Sequence, residues 1–273
     1  MNKKVNGVDQ LKKINVKKDN ILINWIGQAG FIFKTGEGTT ICIDPYLSNS
    51  MEKLEETFPT WVNGKPNRRM WFNKFTIEEF EPDYVICTHD HVDHTDPETI
   101  PLISAYSEAV FCGPGSSIEH MKKMSIADSR LKTLERNQNY KLNDIDLKTV
   151  YAEHTEDSIG LVLNINNLNI YITGDTSYEE ELFEINEDIN ILISCINGKL
   201  GNLNIDQAVE LAKHYDVELL LPMHYGLIPS NTANERYFIQ ECEKNNINTY
   251  LLNVEHNYIL QKENNRIEIR DNT

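Results

Sequence analysis

The chain predicts an α/β fold, and three observations carry that expectation. Short apolar runs alternate with helical patterns between Asp83 and Lys123, as in domains built of layered strands and helices. The whole reads as two successive halves of meander plus helices, with no repeat of solenoid length. Polar residues able to hold a metal recur just past the carboxyl ends of apolar runs, where open sheets place their sites.

Residues 1–20 form a basic leader with six lysines against two aspartates. It lacks an apolar core long enough for a signal peptide or a membrane span. One domain is expected over 21–273. It begins with three short strands, Ile21 to Ile26, Phe31 to Lys34 and Thr39 to Asp44, joined by glycine turns into an antiparallel meander. Pro45 stops the third strand and leaves the Asp44 carboxylate at its tip. From about 48 to 74 the pattern dissolves into an inserted loop holding Phe58, Trp61, Trp71 and Phe72 beside Lys65, Arg68 and Arg69. Long structureless segments in a compact domain are usually functional. Here the aromatics would cover a site while Arg68 and Arg69 hold an anionic substrate, or they would pack on the core or on a second copy in a homo-oligomer.

A short helix is expected over Thr76 to Phe80, a buried strand over Asp83 to Thr88, and a helix over Pro97 to Ser107 with proline in its first turn. Ala109 to Cys112 is a strand, and a helix runs from Gly115 through Lys123. Strands resume at Leu147 to Ala152, Gly160 to Ile165 and Leu168 to Thr173, the last two joined by an Asn166-Asn167 turn. Ile189 to Cys195 and Val217 to Leu221 flank a helix over Ile205 to His214, with Ala208, Leu211 and Ala212 at helical spacing. One more helix, about Asn234 to Lys244, and three strands complete the chain.

A chain of 273 residues that is 40% hydrophobic can bury one large core. Its 26 basic and 42 acidic side chains give a net charge of −16, which repels a phosphate backbone and anionic membrane surfaces. Nucleic acid and membrane are therefore excluded as expected partners. Five scattered cysteines without a Cys-x-x-Cys spacing read as buried free thiols, which implies a reducing, cytoplasmic address.

The chemistry is concentrated in Thr88 to Asp96, Thr-His-Asp-His-Val-Asp-His-Thr-Asp. His89 and His91, two apart at a strand end, project to the same side. Asp93 and His94 follow from the turn toward a second position. Imidazole and carboxylate suit borderline divalent ions such as zinc. Adding the strand-end residues His154, Asp175 and His224 brings the set to seven, which suits two ions. His89, His91 and His154 would hold one, Asp93, His94 and His224 the other, with Asp175 bridging. His120, His214 and His256 lack this context and read as structural.

Asp44, the His-x-His-x-Asp-His run, His154, Asp175 and His224 together resemble the metallo-β-lactamase superfamily over about Asn24 to His256. Trp25 to Phe31, Ile43 to Ser48, Thr88 to His91, Ile196 to Asn202 and Pro222 to Gly226 are similar to its L-ascorbate-6-phosphate lactonase (UlaG-like) branch, although this chain looks shorter around the inserted loops. The resemblance implies a four-layer αββα sandwich with its metal site at one edge of two sheets, loaded with Mn2+ or Zn2+. It implies a metal-dependent hydrolase of a small anionic substrate, a phosphorylated sugar lactone such as L-ascorbate 6-phosphate. A water shared by two ions ionises near neutral pH, and the expected reaction is attack of that hydroxide on a lactone carbonyl.

In this scheme Asp93 and Asp175 serve catalysis, and Asp44 is an acceptor for a ligand histidine. Asn197, Lys199 and Asn202, on a glycine-bearing loop before a helix, would bind an anionic group, as would Tyr225 in the last motif. The alternatives are a phosphodiesterase or phospholipase-like hydrolase, a diiron protein of the same fold, which His91 and the lack of a flavin domain argue against, and a non-catalytic metal-binding protein.

Overall fold

The computed structural model describes residues 13–53, 59–74, 81–263 and 266–272. The expected meander is present as β1 (Ile21–Gly27), β2 (Gly30–Thr35) and β3 (Thr40–Ile43). Its side chains alternate between two apolar clusters, because successive strand residues point to opposite faces. Ile21, Ile23, Trp25, Phe31, Phe33, Ile41 and Ile43 enter one cluster. Leu22, Ile26, Ile32 and Cys42 enter the other. These strands are thus covered on both sides. Of the leader, Ile14 and Val16 pack on the second cluster, and residues 1–12 lie outside the described residues.

The described residues of the inserted segment hold regular structure that the sequence does not predict. It carries a short helix, α1 (Ser50–Lys53), and a two-stranded ribbon of β4 (Trp61–Val62) and β5 (Lys65–Pro66). Asn63 and Gly64, at φ of 51° and 74°, make the turn between them, a pairing that a two-residue hairpin loop favours. The expected helix over Thr76 to Phe80, and Phe58, lie outside the described residues.

Beyond the insertion β3 pairs in parallel with β6 (Tyr84–Ile86). The helices α2 (Thr99–Tyr106) and α3 (Gly115–Lys123) alternate with β7 (Val110–Gly113) and β8 (Leu131–Thr133), which extend the sheet in the same sense. The second half repeats the plan. β9 (Asn139–Leu142), β10 (Ile145–Tyr151), β11 (Ile159–Ile165) and β12 (Leu168–Ile172) pair antiparallel. β13 (Ile191–Cys195) and β14 (Leu219–Met223) then pair in parallel, with α4 (Ile205–His214) between them in sequence and α5 (Glu235–Lys244) after them. β15 (Asn257–Glu263) and β16 (Arg266–Asp271) return to lie beside β1.

The result is an eight-stranded sheet, β16-β15-β1-β2-β3-β6-β7-β8, and a six-stranded sheet, β14-β13-β12-β11-β10-β9. Side chains of both sheets share one core, while α2 and α3 supply Ile100, Ile103, Ile118 and Met121 to the cluster on the outer face of the larger sheet. Ala208, Leu211 and Ala212 of α4, with Phe238 and Cys242 of α5, pack against the smaller one. This is the expected four-layer αββα arrangement. A reciprocal capping box between Asn204 and Gln207 starts α4 where the sequence places it.

Three details differ from the sequence expectation. Among the described residues the closing part holds two strands and not three, with an isolated bridge from Thr249 to Leu220. β8 and β9 were not expected: each is a short strand at the edge of its sheet, giving only Leu131, or Tyr140 and Leu142, to a packed face.

Among the described residues no helix is long and apolar enough to cross a membrane. All five cysteines are free and buried, and burial raises their thiols, that of Cys242 to about 11. Thiol titration should therefore count five in denatured, unreduced protein and find the native protein slow to react. A count of one or three would reveal disulfides.

Candidate metal centre

The seven expected ligands meet at one edge of the two sheets. His89, His91, Asp93 and His94 follow β6, His154 follows β10, Asp175 follows β12 and His224 follows β14. The run after β6 is wound tightly, with the His94 and Thr95 amides both donating to the His91 carbonyl oxygen, at 3.0 and 2.7 Å. Thr95 Oγ1 donates to the His89 carbonyl oxygen at 2.7 Å. Asp175 is delivered by Gly174, whose φ of 63° disfavours a side chain and where a Cβ would lie a tight 3.1 Å from the Ile159 carbonyl oxygen.

Three overlapping triplets have donor atoms within 4.8 Å of one another: His89, His91 and His154; His89, His94 and Asp175; Asp93, His94 and His224. Asp175 Oδ2 lies 3.1 Å from His224 Nε2, 3.5 Å from His94 Nε2 and 3.7 Å from His154 Nε2. It stands between the first triplet and the last. Asp93 Oδ2 is 3.6 Å from His224 Nε2.

The donor chemistry fits divalent ions. Buried polar atoms are almost always hydrogen-bonded, yet His89 Nε2, His94 Nε2 and Asp175 Oδ1 are buried with no hydrogen-bond partner. Three unmet atoms of ligand type at one point are the mark of a cation site. Burial, reinforced by the neighbouring His94, holds His89 neutral, far below the usual imidazole range, and neutral imidazole is the form that binds metal. Burial acts on His94 in the same direction, but the carboxylates of Asp44, Asp175 and Asp93 outweigh it and raise its pKa well above the ordinary value. Burial alone would push Asp175 up; His224 and His94 draw it far below the usual carboxylate range.

Supporting contacts set the orientation of these ligands. His94 Nδ1 lies 2.8 Å from Asp44 Oδ2, which fixes the tautomer and turns Nε2 to the site. The Asp44 carboxylate also accepts from the Thr88 amide and hydroxyl, both at 2.7 Å. Gln28, in the turn of the Trp25 to Phe31 motif, has φ of 53° and donates from Nε2 to Asp93 Oδ2 at 3.0 Å. Its carbonyl oxygen accepts from the His224 amide at 2.9 Å. Asn202 Nδ2 donates to Asp175 Oδ2 at 2.8 Å.

The centre forms part of the lining of a cavity of about 570 Å³, to which His91, Asp93, His154, Asp175 and His224 contribute. Of the six residues expected to bind substrate, Lys199 alone lines it. Asn202 instead holds Asp175, and Asn197 donates to Asn231 Oδ1 at 2.7 Å. Arg69 is buried, its guanidinium spent on the Tyr46, Ser48 and Trp71 carbonyl oxygens and Asn73 Oδ1. Arg68 pairs with Glu52 at the surface, 3.1 Å away. Tyr225 stacks on Trp25 with ring centroids 4.7 Å apart. Arg69, Arg68 and Tyr225 thus spend their polar or aromatic groups on contacts within the protein, and none of the three lines the cavity. His214, taken as structural, contacts the Phe183 carbonyl oxygen at 3.1 Å, and His256 contacts Asp271 at 3.0 Å.

Comparison with known proteins agrees with this geometry. The chain is 27% identical over 214 residues to a UPF0173 protein of Pyrococcus abyssi, covering 77% of this chain and 86% of that one. It is 23% identical to a UPF0173 metal-dependent hydrolase of Oenococcus oeni, covering 80% and 92%. Its fold superposes with a TM-score of 0.71 on Igni18, a metallo hydrolase of Ignicoccus hospitalis, at 19% identity over 89% of this chain and 100% of that one. The profile described as a beta-lactamase superfamily domain matches residues 22–224, and with the histidine and aspartate cluster at its sheet edge the chain belongs to the metallo-β-lactamase superfamily.

Proposed function

We propose that the protein is a metal-dependent hydrolase that opens a phosphorylated sugar lactone, of which L-ascorbate 6-phosphate is the type. The observation that carries this reading is the convergence of seven ligand side chains, with three unmet donor atoms, beside a cavity large enough for a sugar phosphate. The relatives named as metal-dependent hydrolases support the reaction class. Two divalent ions, Mn2+ or Zn2+, held by the seven ligands would supply Lewis acidity and a water of lowered pKa.

The chain's own residues do the rest. Asp175 keeps the two groups of imidazoles in register through its Oδ2, and Asn202 keeps that oxygen from turning away. Asp93 is fixed by Gln28 and faces the cavity, where it orients the bound ester. Lys199 stands on the cavity wall with one of its three donors given to the Ser230 carbonyl oxygen at 2.7 Å, which leaves two for an anionic group. Free, buried cysteines support a cytoplasmic setting.

The test is a screen of metal-loaded protein against matched phosphorylated lactones, neutral lactones and phosphodiesters. Fastest turnover on a phosphorylated lactone is expected. Preference for a phosphodiester would replace this reading by the phosphodiesterase one.

A further inference from the structure

We propose that Lys65, on the β4–β5 ribbon of the inserted segment, joins Lys199 in a two-lysine clamp for the phosphate monoester of the substrate. This deepens the lactonase reading and rests on it for the placement of the reacting carbonyl at the metal centre.

The ribbon presents one face to the cavity. Val62 and Lys65 are directly opposed across the two strands, so their side chains share a face. Both line the cavity, as does Asn63 at the turn, whereas their neighbours Trp61 and Pro66 do not. Trp61 is 63% exposed on the opposite face. Period-two alternation therefore aims the Lys65 stem inward.

A short chain of hydrogen bonds then couples Lys65 to Lys199. Lys199 Nζ donates to the Ser230 carbonyl oxygen at 2.7 Å. The Ser230 amide donates to the carbonyl oxygen of Pro66, the residue after Lys65, at 3.0 Å. Ser230 Oγ donates to Asn67 Oδ1 at 2.6 Å, and the Met70 amide donates to the Leu227 carbonyl oxygen at 3.1 Å. The ribbon is thus seated on the 227–231 loop that also anchors Lys199. Two ammonium groups from distant parts of the chain face one space.

Two ammonium groups facing one cavity favour an anion there. The acids that line the cavity, Asp93 and Asp175, belong to the metal centre. Among the described residues no salt bridge is made by Lys65 or Lys199. Burial and then the nearby Lys65 charge lower the pKa of Lys199, a repulsion that a bound dianion would reverse. The setting also matters, because a chain of net charge −16 repels anionic metabolites in general. A local cationic wall is what admits one. Its partner is a phosphate monoester on a small polyol, in a cavity also lined by Asn63, Asn67 and Asn231.

The test is calorimetric binding of D-gluconate 6-phosphate and of D-gluconate, both unreactive, to the metal-loaded protein and to Lys65→Ala, Lys65→Arg, Lys199→Ala and the double alanine variant. Each single alanine change should weaken the phosphorylated acid about tenfold, the loss of one charge-assisted contact, and leave gluconate unchanged. Arginine at 65 should restore most of the loss. Lys65 is exposed, so its variants should fold, with metal content as the check. If Lys65→Ala binds both acids as the parent does, or weakens both equally, the clamp is overturned. Since neither acid turns over, intact selective binding in a protein that hydrolyses no lactone would overturn the lactonase reading and leave the clamp standing.

Discussion

Asp175→Ala is expected to lower kcat/KM by roughly a thousandfold or more on charged and neutral substrates alike, about 4 kcal/mol of transition-state stabilisation. Its Oδ2 lies within 3.7 Å of His154, His94 and His224, so in the proposed two-ion centre one atom would serve both positions, and among the described residues Asp93 is the other carboxylate of the three triplets. Asp93 lies on the His224 side only. Asn202→Ala should be milder, because it removes one hydrogen bond to the Asp175 carboxylate and no ligand. Steady-state kinetics with metal analysis of each variant would decide this. An Asp175→Ala protein retaining a tenth of the parent activity would show that the two positions do not depend on a shared carboxylate.

The fold was legible wherever a strand or helix is buried on a defined face. The β1–β3 meander and α4 fall close to where apolar period and glycine or asparagine signals put them. What the sequence hid are elements whose stability comes from distant partners. β8 and β9 are edge strands that gain their hydrogen bonds from β7 and β10. The β4–β5 ribbon is held by the 227–231 loop, some 160 residues away along the chain. Its local signal is Asn63-Gly64, which lies among aromatic and basic residues that read equally as a cover for the site or as a packing surface.

The site shows the same division. Ligands clustered in sequence, or standing just past the end of a strand, can be recognised because chemistry and position coincide. Substrate residues cannot, because charge alone does not say where a side chain points. Arg68 and Arg69 looked like an anion site, but one meets Glu52 and the other satisfies carbonyl oxygens. Lys65, in the same segment, faces the cavity by strand alternation. Gln28 escaped notice because a glutamine between glycines reads as a turn; its contact with Asp93 spans 65 residues.

His89→Ala is expected to separate the metal's contribution to stability from that of the side chain itself. The loaded protein should hold about two ions, and His89 belongs to two of the three donor triplets, so the variant should hold one or none. In the parent without metal, His89 Nε2 is buried and unpartnered, which costs roughly 1–3 kcal/mol. Removing the imidazole removes that cost and offsets part of the packing lost. The metal-free variant should therefore melt close to the metal-free parent. Loading should tell them apart: metal at a hundred times its dissociation constant adds about 2.7 kcal/mol, or about 5 °C or more in Tm for a chain near this size. The parent should gain that increment and His89→Ala should lose most of it. His120→Ala serves as the control, since His120 lies outside the three triplets, 4.0 Å from Asp90, and it should keep both the ions and the increment. Melting curves with and without metal, paired with elemental analysis, are the measurement. A parent that takes up no transition metal on reconstitution, or a His120→Ala variant that behaves like His89→Ala, would remove the metal centre from this account.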